Sequence, residues 1–336
     1  MGECTVSFRL NSKRVQERYF VVGGAGFIGS HMVEWLLSHE EVPQVTIYDN
    51  FSSGQHWHIE HLFGDKRLKV IEADVKDRET LWKSMEGHDT VVHLASNPDI
   101  AAAATDPEID FREGTVLTNN VVEGMRRTSC SRILYTSGSG VYGDLGEDVA
   151  HEEYGPMIPI STYGASKLAG EVLISSYCHM FGITACVFRF GNVVGPKQTH
   201  GVGYDFARRL KADPTCLRIL GDGKQSKTYV HISDIIKAVY TAHNESQSSF
   251  DTFNVATGDY ITVTEIADVA CSCIGLDPQT VNYQYTGGDR GWKGDVPIVR
   301  MSAEKIKKLG WQCERNSAQA IHDSISAMVQ EIIKKD

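Results

Sequence analysis

The feature that most narrows the fold is an apolar run, Tyr19 to Val22, that ends in Gly23-Gly24-Ala25-Gly26-Phe27-Ile28-Gly29. It continues into Met32, Val33, Leu36 and Leu37 at helical spacing. The segment reads as strand, glycine turn, helix. Gly23, Gly26 and Gly29 lack side chains where a backbone must bend sharply and approach a pyrophosphate at a helix N-terminus. A ligand-free connection could use the same glycines, so the next acid matters. Asp49 ends the second apolar run, Val45 to Tyr48, and lies twenty residues after Gly29, the separation at which a carboxylate reaches the ribose hydroxyls of an adenosine. Such a carboxylate repels a 2′-phosphate, so the expected cofactor is NAD rather than NADP. Asp74, after the third run Leu68 to Ile71, is placed to accept from an adenine amino group.

Further short runs, Thr90 to Leu94 and Ile133 to Tyr135, alternate with helix-forming stretches. Long helices are expected over Ala101 to Arg127 and Tyr163 to Phe181, followed by a strand over Ala185 to Phe190. This alternation predicts an α/β chain, a Rossmann-type doubly wound parallel sheet covered on both faces. Beyond Pro196 the glycines and Pro214 break the alternation into smaller pieces. Helices are expected near 206–211, 233–243, 264–274 and 317–334, with strands near 218–220 and 253–255. The expected division is an N-terminal extension over 1–18, an NAD-binding domain over 19–195 and a smaller mixed α/β substrate lobe over 196–336, with room for some elements to return to the first domain.

With 336 residues, 41% of them hydrophobic, the chain can bury a large core. Lys and Arg number 33 against 43 Asp and Glu, a net charge of −10 that disfavours nucleic acid as partner. No apolar run is long enough for a membrane-spanning helix. Residues 1–18 carry no apolar signal core, and Val6 stands where a myristoylation signal from Gly2 needs Ser or Thr. The eight scattered cysteines read as reduced thiols and, with the rest, point to the cytoplasm. His56, His58 and His61 form a local cluster, read as a polar loop rather than a metal site.

Tyr163-Gly164-Ala165-Ser166-Lys167 puts a phenol and an ammonium on one helix face. A phenol with an ordinary pKa of about 10 is a poor base at neutral pH, and lowering it by ~3 units takes about 4 kcal/mol of differential stabilisation. The adjacent ammonium and a positive nicotinamide ring are expected to supply it. Such a base takes an alcohol proton while hydride leaves the carbinol carbon, with a nearby Ser hydroxyl holding or relaying the proton.

Through these residues the chain resembles the extended short-chain dehydrogenase/reductase family, in particular its nucleotide-sugar epimerases and dehydratases. Residues 22–29, Asp49-Asn50, Asp74-Val75, His93-Leu94-Ala95, Val141-Tyr142-Gly143, the Tyr163/Lys167 pair, Arg189 to Pro196 and Gly221-Asp222-Gly223 follow in that family's order. The resemblance implies cofactor contacts from Gly23, Gly26, Phe27, Ile28, Gly29, Asp49, Asn50, Asp74, Val75, Leu94, Ala95, Tyr163 and Lys167. Three departures stand out. Gly138 occupies the usual catalytic Ser or Thr position, so Ser137, or else Ser139, has to substitute. Ser139-Gly140 stand where 4,6-dehydratases carry an Asp-Glu pair. Gly114 to Thr118 represent an Asn-Val-x-Gly-Thr segment whose structural Asn is missing, and Asn119 or Asn120 is not expected to replace it.

In the second lobe the resemblance implies substrate contacts from Asn192, from Lys227 where Arg is usual, from Arg290 and from Asp295 as a ribose-facing acid, besides Ser137 and Tyr163. His200, near the lobe junction, is a further candidate for touching substrate. The implied activity is a nucleotide-sugar 4-epimerase, with Tyr163 as base and acid and Lys167 also binding the nicotinamide ribose. The alternatives are a dehydratase or a 4-oxidase releasing a keto sugar, or, from another class, a non-catalytic NAD-sensing protein. A homodimer through the two long helices is implied as well.

Overall fold

The computed structural model describes residues 16–128 and 130–334. Expectations placed on residues 1–15 lie outside the described residues.

The first half alternates as expected. Strands β1 (Arg18–Val22), β2 (Gln44–Asp49), β3 (Leu68–Glu72), β4 (Thr90–His93), β5 (Arg132–Gly138) and β6 (Thr184–Phe190) are interleaved with helices α1 (Phe27–Leu37), α2 (Arg78–Met85), α3 (Val116–Arg127) and α4 (Thr162–Phe181). The chain continues through β7 (Asn192–Val194), α5 (Val202–Ala212), β8 (Cys216–Ile219), β9 (Ser226–Lys227), β10 (Tyr229–His231), α6 (Ile232–Glu245) and β11 (Phe250–Val255). It ends with β12 (Ile261–Thr262), α7 (Val263–Ile274), β13 (Asn282–Tyr285), α8 (Glu304–Lys307) and α9 (Ser317–Lys334).

Seven parallel strands form the main sheet in the order β11-β6-β5-β4-β1-β2-β3. The order reverses between β1 and β4, so a crevice opens past their carboxyl ends, where doubly wound sheets hold ligands. Met32, Val33 and Leu36 of α1 pack with Ile235 and Val239 of α6 on one face of the sheet. On the other face Leu81, Met85, Val121, Met125 and Ile174 of α2, α3 and α4 are buried together. A separate core joins Phe206, Leu210, Ile266, Ala270, Ile321 and Ile325 of α5, α7 and α9. The two units interleave along the chain, because α6 and β11 come after α5 and yet belong to the large sheet.

The stretch 101–127 is not one long helix. A short 3-10 turn over Ile100–Ala104 gives way to Pro107, then a π-helical turn over Phe111–Thr115 leads into α3. Pro107 lacks an N–H and keeps the preceding Asp106 out of helical geometry, which separates the two pieces. Helix α4 packs closely on the π turn: a Cβ on Gly114 would overlap Ser166 Oγ, so the α4 hydroxyl fills the space a side chain would need. Helix α4 is set by its ends, Ser161 Oγ accepting from Gly164 N at 3.1 Å and Gly182 closing it in the left-handed region.

Candidate active site

At the β1–α1 turn, Gly26 caps α1 without a side-chain hydrogen bond, which leaves the first helical N–H groups facing the crevice. A Cβ on Gly23 would lie 2.8 Å from Ala95 N, and one on Gly29 would overlap Gly23 O. The turn is therefore packed against β4 as closely as backbone allows. Asp49 ends β2 with Oδ2 accepting from Ala25 N and Oδ1 from Phe51 N, each at 2.9 Å. Burial pushes its carboxyl up while these two donors oppose the rise. Asn50 Nδ2 donates to Asp74 Oδ2 at 3.1 Å, and Tyr48 donates to Asp74 O at 3.1 Å, so the adenine-side acid is anchored to β2.

A crevice of about 250 Å³ joins Gly23, Gly26, Phe27, Ile28, Gly29, Asp49, Asn50, Asp74, Val75, Leu94, Ala95 and Tyr163. An elongated groove with side-chain-free turns, an uncapped helix N-terminus and an acid at the ribose distance fits a dinucleotide. Lys167 lies immediately behind, its Nζ donating to Thr136 O at 2.9 Å and standing 5.6 Å from the Tyr163 ring centre. Ser96, Asn97 and Thr136 also line the crevice, as does His200. Ser96 and Asn97 directly follow His93-Leu94-Ala95, which is the signal that could have found them.

Burial dominates the electrostatics of the pair. Burial raises the Tyr163 phenol above its ordinary value, and a hydrogen bond with Ser96 works against that rise. Lys167 directs its Nζ to the Thr136 main-chain carbonyl rather than to the phenol. Burial also brings Lys167 down to about 8, opposed by Asp110 and Glu171. His93, wholly buried with Nε2 3.1 Å from Thr118 Oγ1, is pushed down to about 3 by the same cause, helped by Lys167. Glu171, one helical turn beyond Lys167, is spent on Arg189, whose Nη2 lies 2.7 Å from Oε2.

Ser137 is 6% exposed and its hydroxyl has no hydrogen-bond partner among the described residues. A buried hydroxyl without an acceptor is unusual and calls for a use. Ser139 instead opens the turn after β5 and borders a small separate cavity with Tyr142, Gly143 and Met301. The missing amide at position 114 is not replaced by Asn120, whose side chain serves Arg78 and Val75 O. Its place is taken by Ser166, which donates to Asp110 O at 2.7 Å and accepts from Thr115 Oγ1 at 3.2 Å.

The second-lobe candidates gather with one another rather than in the crevice. Lys227 Nζ meets Asp295 Oδ1 at 2.6 Å, and Arg290 donates to Asp144 Oδ2 and to Asp295 O, both at 2.7 Å. Arg290 thereby holds the Asp144 carboxyl below its usual range. Asn192, on β7, donates from its amide to Thr228 O at 3.3 Å. The three loop histidines part ways: His56 stacks on Phe51, His58 turns its Nδ1 to Ala25 O at 2.8 Å, and His61 faces Glu34 at 3.5 Å. Among the described residues no helix is long and apolar enough to cross a membrane.

The sequence profile of the NAD dependent epimerase/dehydratase family matches residues 19–256. The UDP-glucose 4-epimerase of Mycolicibacterium smegmatis is 27% identical over 315 residues, which span 92% of this chain and 97% of that protein. A crystal structure of a UDP-galactose 4-epimerase superposes with a TM-score of 0.83 at 33% identity, covering 94% of this chain and 99% of the other. The Thermus thermophilus UDP-glucose 4-epimerase in complex with NAD gives 0.81 at 28% identity over 92% and 98%.

Proposed function

This chain belongs to the NAD-dependent epimerase/dehydratase family, and from that premise we propose that it inverts C4 of a nucleotide-linked hexose, a UDP-hexose first of all. The observation that carries the reading is the Tyr163 phenol on the wall of the dinucleotide crevice with the Lys167 ammonium behind it. NAD, held by the crevice residues, would supply hydride transfer from and back to C4, so that inversion involves no net oxidation. Tyr163 Oη takes the C4 hydroxyl proton and gives it back. Lys167 uses one proton on Thr136 O and keeps two for a ribose hydroxyl of the cofactor. Ser137, with its unclaimed hydroxyl, orients the sugar hydroxyl, and Ser139 is the second choice.

Gly23, Gly26, Phe27, Ile28 and Gly29 hold the pyrophosphate, Asp49 and Asn50 the adenosine ribose, Asp74 and Val75 the adenine, and Leu94 and Ala95 the nicotinamide side. Asn192, Lys227, Arg290 and Asp295 take the nucleoside diphosphate of the substrate. Lys227 and Arg290 supply positive charge for the diphosphate once their acids are displaced or shared. The dehydratase alternative is disfavoured by Ser139-Gly140, since removing water needs an acid and a base at the place these residues occupy. Incubating the purified protein with UDP-, GDP-, dTDP- and CDP-hexoses tests the choice. Product of unchanged mass and inverted C4 supports epimerisation, loss of one water makes it a dehydratase, and NAD binding with no turnover of any sugar makes it a sensor.

The reading includes a homodimer. Phe111 is 61% exposed, and Val172 and Met180 on α4 are 58% and 68% exposed, an apolar display that a second copy would cover. It also includes a cytoplasmic location, supported by seven free cysteines among the described residues. Sedimentation tests the dimer, and fractionation of cells tests the location.

A further inference from the structure

One carboxylate beside the reacting pair is unused in this scheme. Asp110 is 1% exposed at the start of the π turn. Its Oδ1 accepts from Asn97 Nδ2 at 2.8 Å and its Oδ2 from Thr162 Oγ1 at 2.6 Å. Its main-chain carbonyl accepts from Ser166 Oγ at 2.7 Å. The residue is thus bonded to the neighbour that precedes Tyr163 and to the neighbour that precedes Lys167. Its side-chain partners are an amide and a hydroxyl, and among the described residues no cation forms an ion pair with it. A buried negative charge met only by neutral donors keeps most of its field, whereas one paired with a guanidinium does not.

We propose that Asp110 is a positioning residue for the epimerisation, tying α4 at Thr162 and Ser166 and setting by its charge how readily Tyr163 gives up its proton. The inference rests on the assignment of Tyr163 as the base. Its field bears on both members of the pair, strengthening the hold of Tyr163 and of Lys167 on their protons. Of the other charged or titratable groups around the pair, Glu171 acts on Lys167 alone and none acts on both members. Glu171 is matched by Arg189, His93 is held neutral by burial, Tyr135 lies in the core against the Lys167 ammonium, and His200 stands on the crevice wall. A resting site with phenol, ammonium and carboxylate is neutral overall. A positively charged ring entering the crevice then tips the balance toward phenolate, and Asp110 sets how far it must tip.

The test is an ultraviolet titration of the Tyr163 phenolate in the full chain, with and without NAD, using Tyr163→Phe to subtract the other tyrosines. Asp110→Asn is expected to lower the midpoint by about one pH unit, a tenfold loss in proton affinity. Asp110→Glu, which restores the charge, is expected to return most of it. Asp110→Ser carries the same expectation as the amide if the amide fails to fold. An unchanged midpoint in the neutral variants, or a glutamate variant indistinguishable from them, overturns the proposal. Absence of NAD binding or of turnover in the unaltered protein counts instead against the epimerase reading, since the titration without NAD still reports on Asp110.

Discussion

The crevice proposed for the cofactor and the second-lobe charges proposed for the substrate are built by different means. On the cofactor side, one strand–turn–helix unit supplies the glycine turn, and Asp49 at the end of β2 is fixed by accepting from the backbone N–H groups of Ala25 and Phe51. On the substrate side, the cations come from separate loops and are already engaged, Lys227 by Asp295 and Arg290 by Asp144. Under the proposed function the first is preorganised for its ligand, and the second would exchange internal ion pairs for external ones. Changes on the first side should therefore act on cofactor binding and chemistry, and changes on the second on substrate affinity alone.

The largest effect that could break this contrast concerns Tyr163. Tyr163→Phe removes the proton-transferring oxygen and leaves the ring that walls the crevice. Turnover is expected to fall by about a thousandfold, within the range general acid–base groups supply, with NAD affinity kept. Steady-state kinetics beside calorimetric NAD titration measures both, and a variant that turns over at the normal rate would remove Tyr163 from the mechanism.

Lys167 offers a pH test of the same side. It is 4% exposed and holds its proton to about 8 in the fold, against an ordinary 10.5. Between these values the unfolded chain binds more protons than the folded one, so stability rises with pH. Below about 8 both states are protonated and the burial penalty is present in full. Relative to Lys167→Met, the protein should gain up to ~3 kcal/mol as pH climbs through that window. Denaturant unfolding of both proteins at a series of pH values reports the difference, and a flat difference would mean the ammonium is better solvated than its surroundings suggest.

A glycine exchange compares the cofactor turn with a helix end remote from either proposed site. Gly29→Ala forces a methyl into Gly23 O and should cost about 2 kcal/mol or more together with most of the NAD affinity. Gly275→Ala, at the left-handed end of α7 with no atom within 4 Å of the added carbon, should cost only backbone strain of about 1 kcal/mol and leave NAD binding alone. Thermal unfolding with a binding titration separates them. Equal losses at both positions would say that the glycine turn is there for folding and not for a ligand.

What could be read in the sequence follows the same division. The cradle and the Tyr163/Lys167 pair were legible because each is a local pattern, a turn or one turn of helix, whose geometry needs no distant information. Asp110 was not legible, since its importance comes from packing against Thr162 and Ser166, residues more than fifty positions away. The long helix expected over 101–127 failed at Pro107, a breaker the sequence does carry, whereas the π turn was hidden because helix periodicity carries no sign of Ser166 of α4 pressing on Gly114. Lys227, Arg290 and Asp295 were recognisable as a set, yet Lys227 pairs with Asp295 across 68 positions and Arg290 with Asp144 across 146, which shows only in three dimensions.

That pairing gives the smallest and most discriminating effect. If Lys227 is held by Asp295 only to fasten the loop, then Lys227→Met and Asp295→Asn each lower stability, the double variant recovers part of it, and KM for the nucleotide sugar stays put. If the lysine also meets the substrate diphosphate, Lys227→Met raises KM roughly tenfold, about the 1.4 kcal/mol of one partly exposed charge contact. The double variant then regains stability without regaining KM, and NAD affinity is unchanged in all three. Stability and affinity part company only in the second case, because restoring neutrality to the loop returns the fold its balance but leaves the diphosphate without its cation. Unfolding curves and KM values for the four proteins of this cycle therefore decide whether the internal ion pair is a latch or a loan of charge to the substrate.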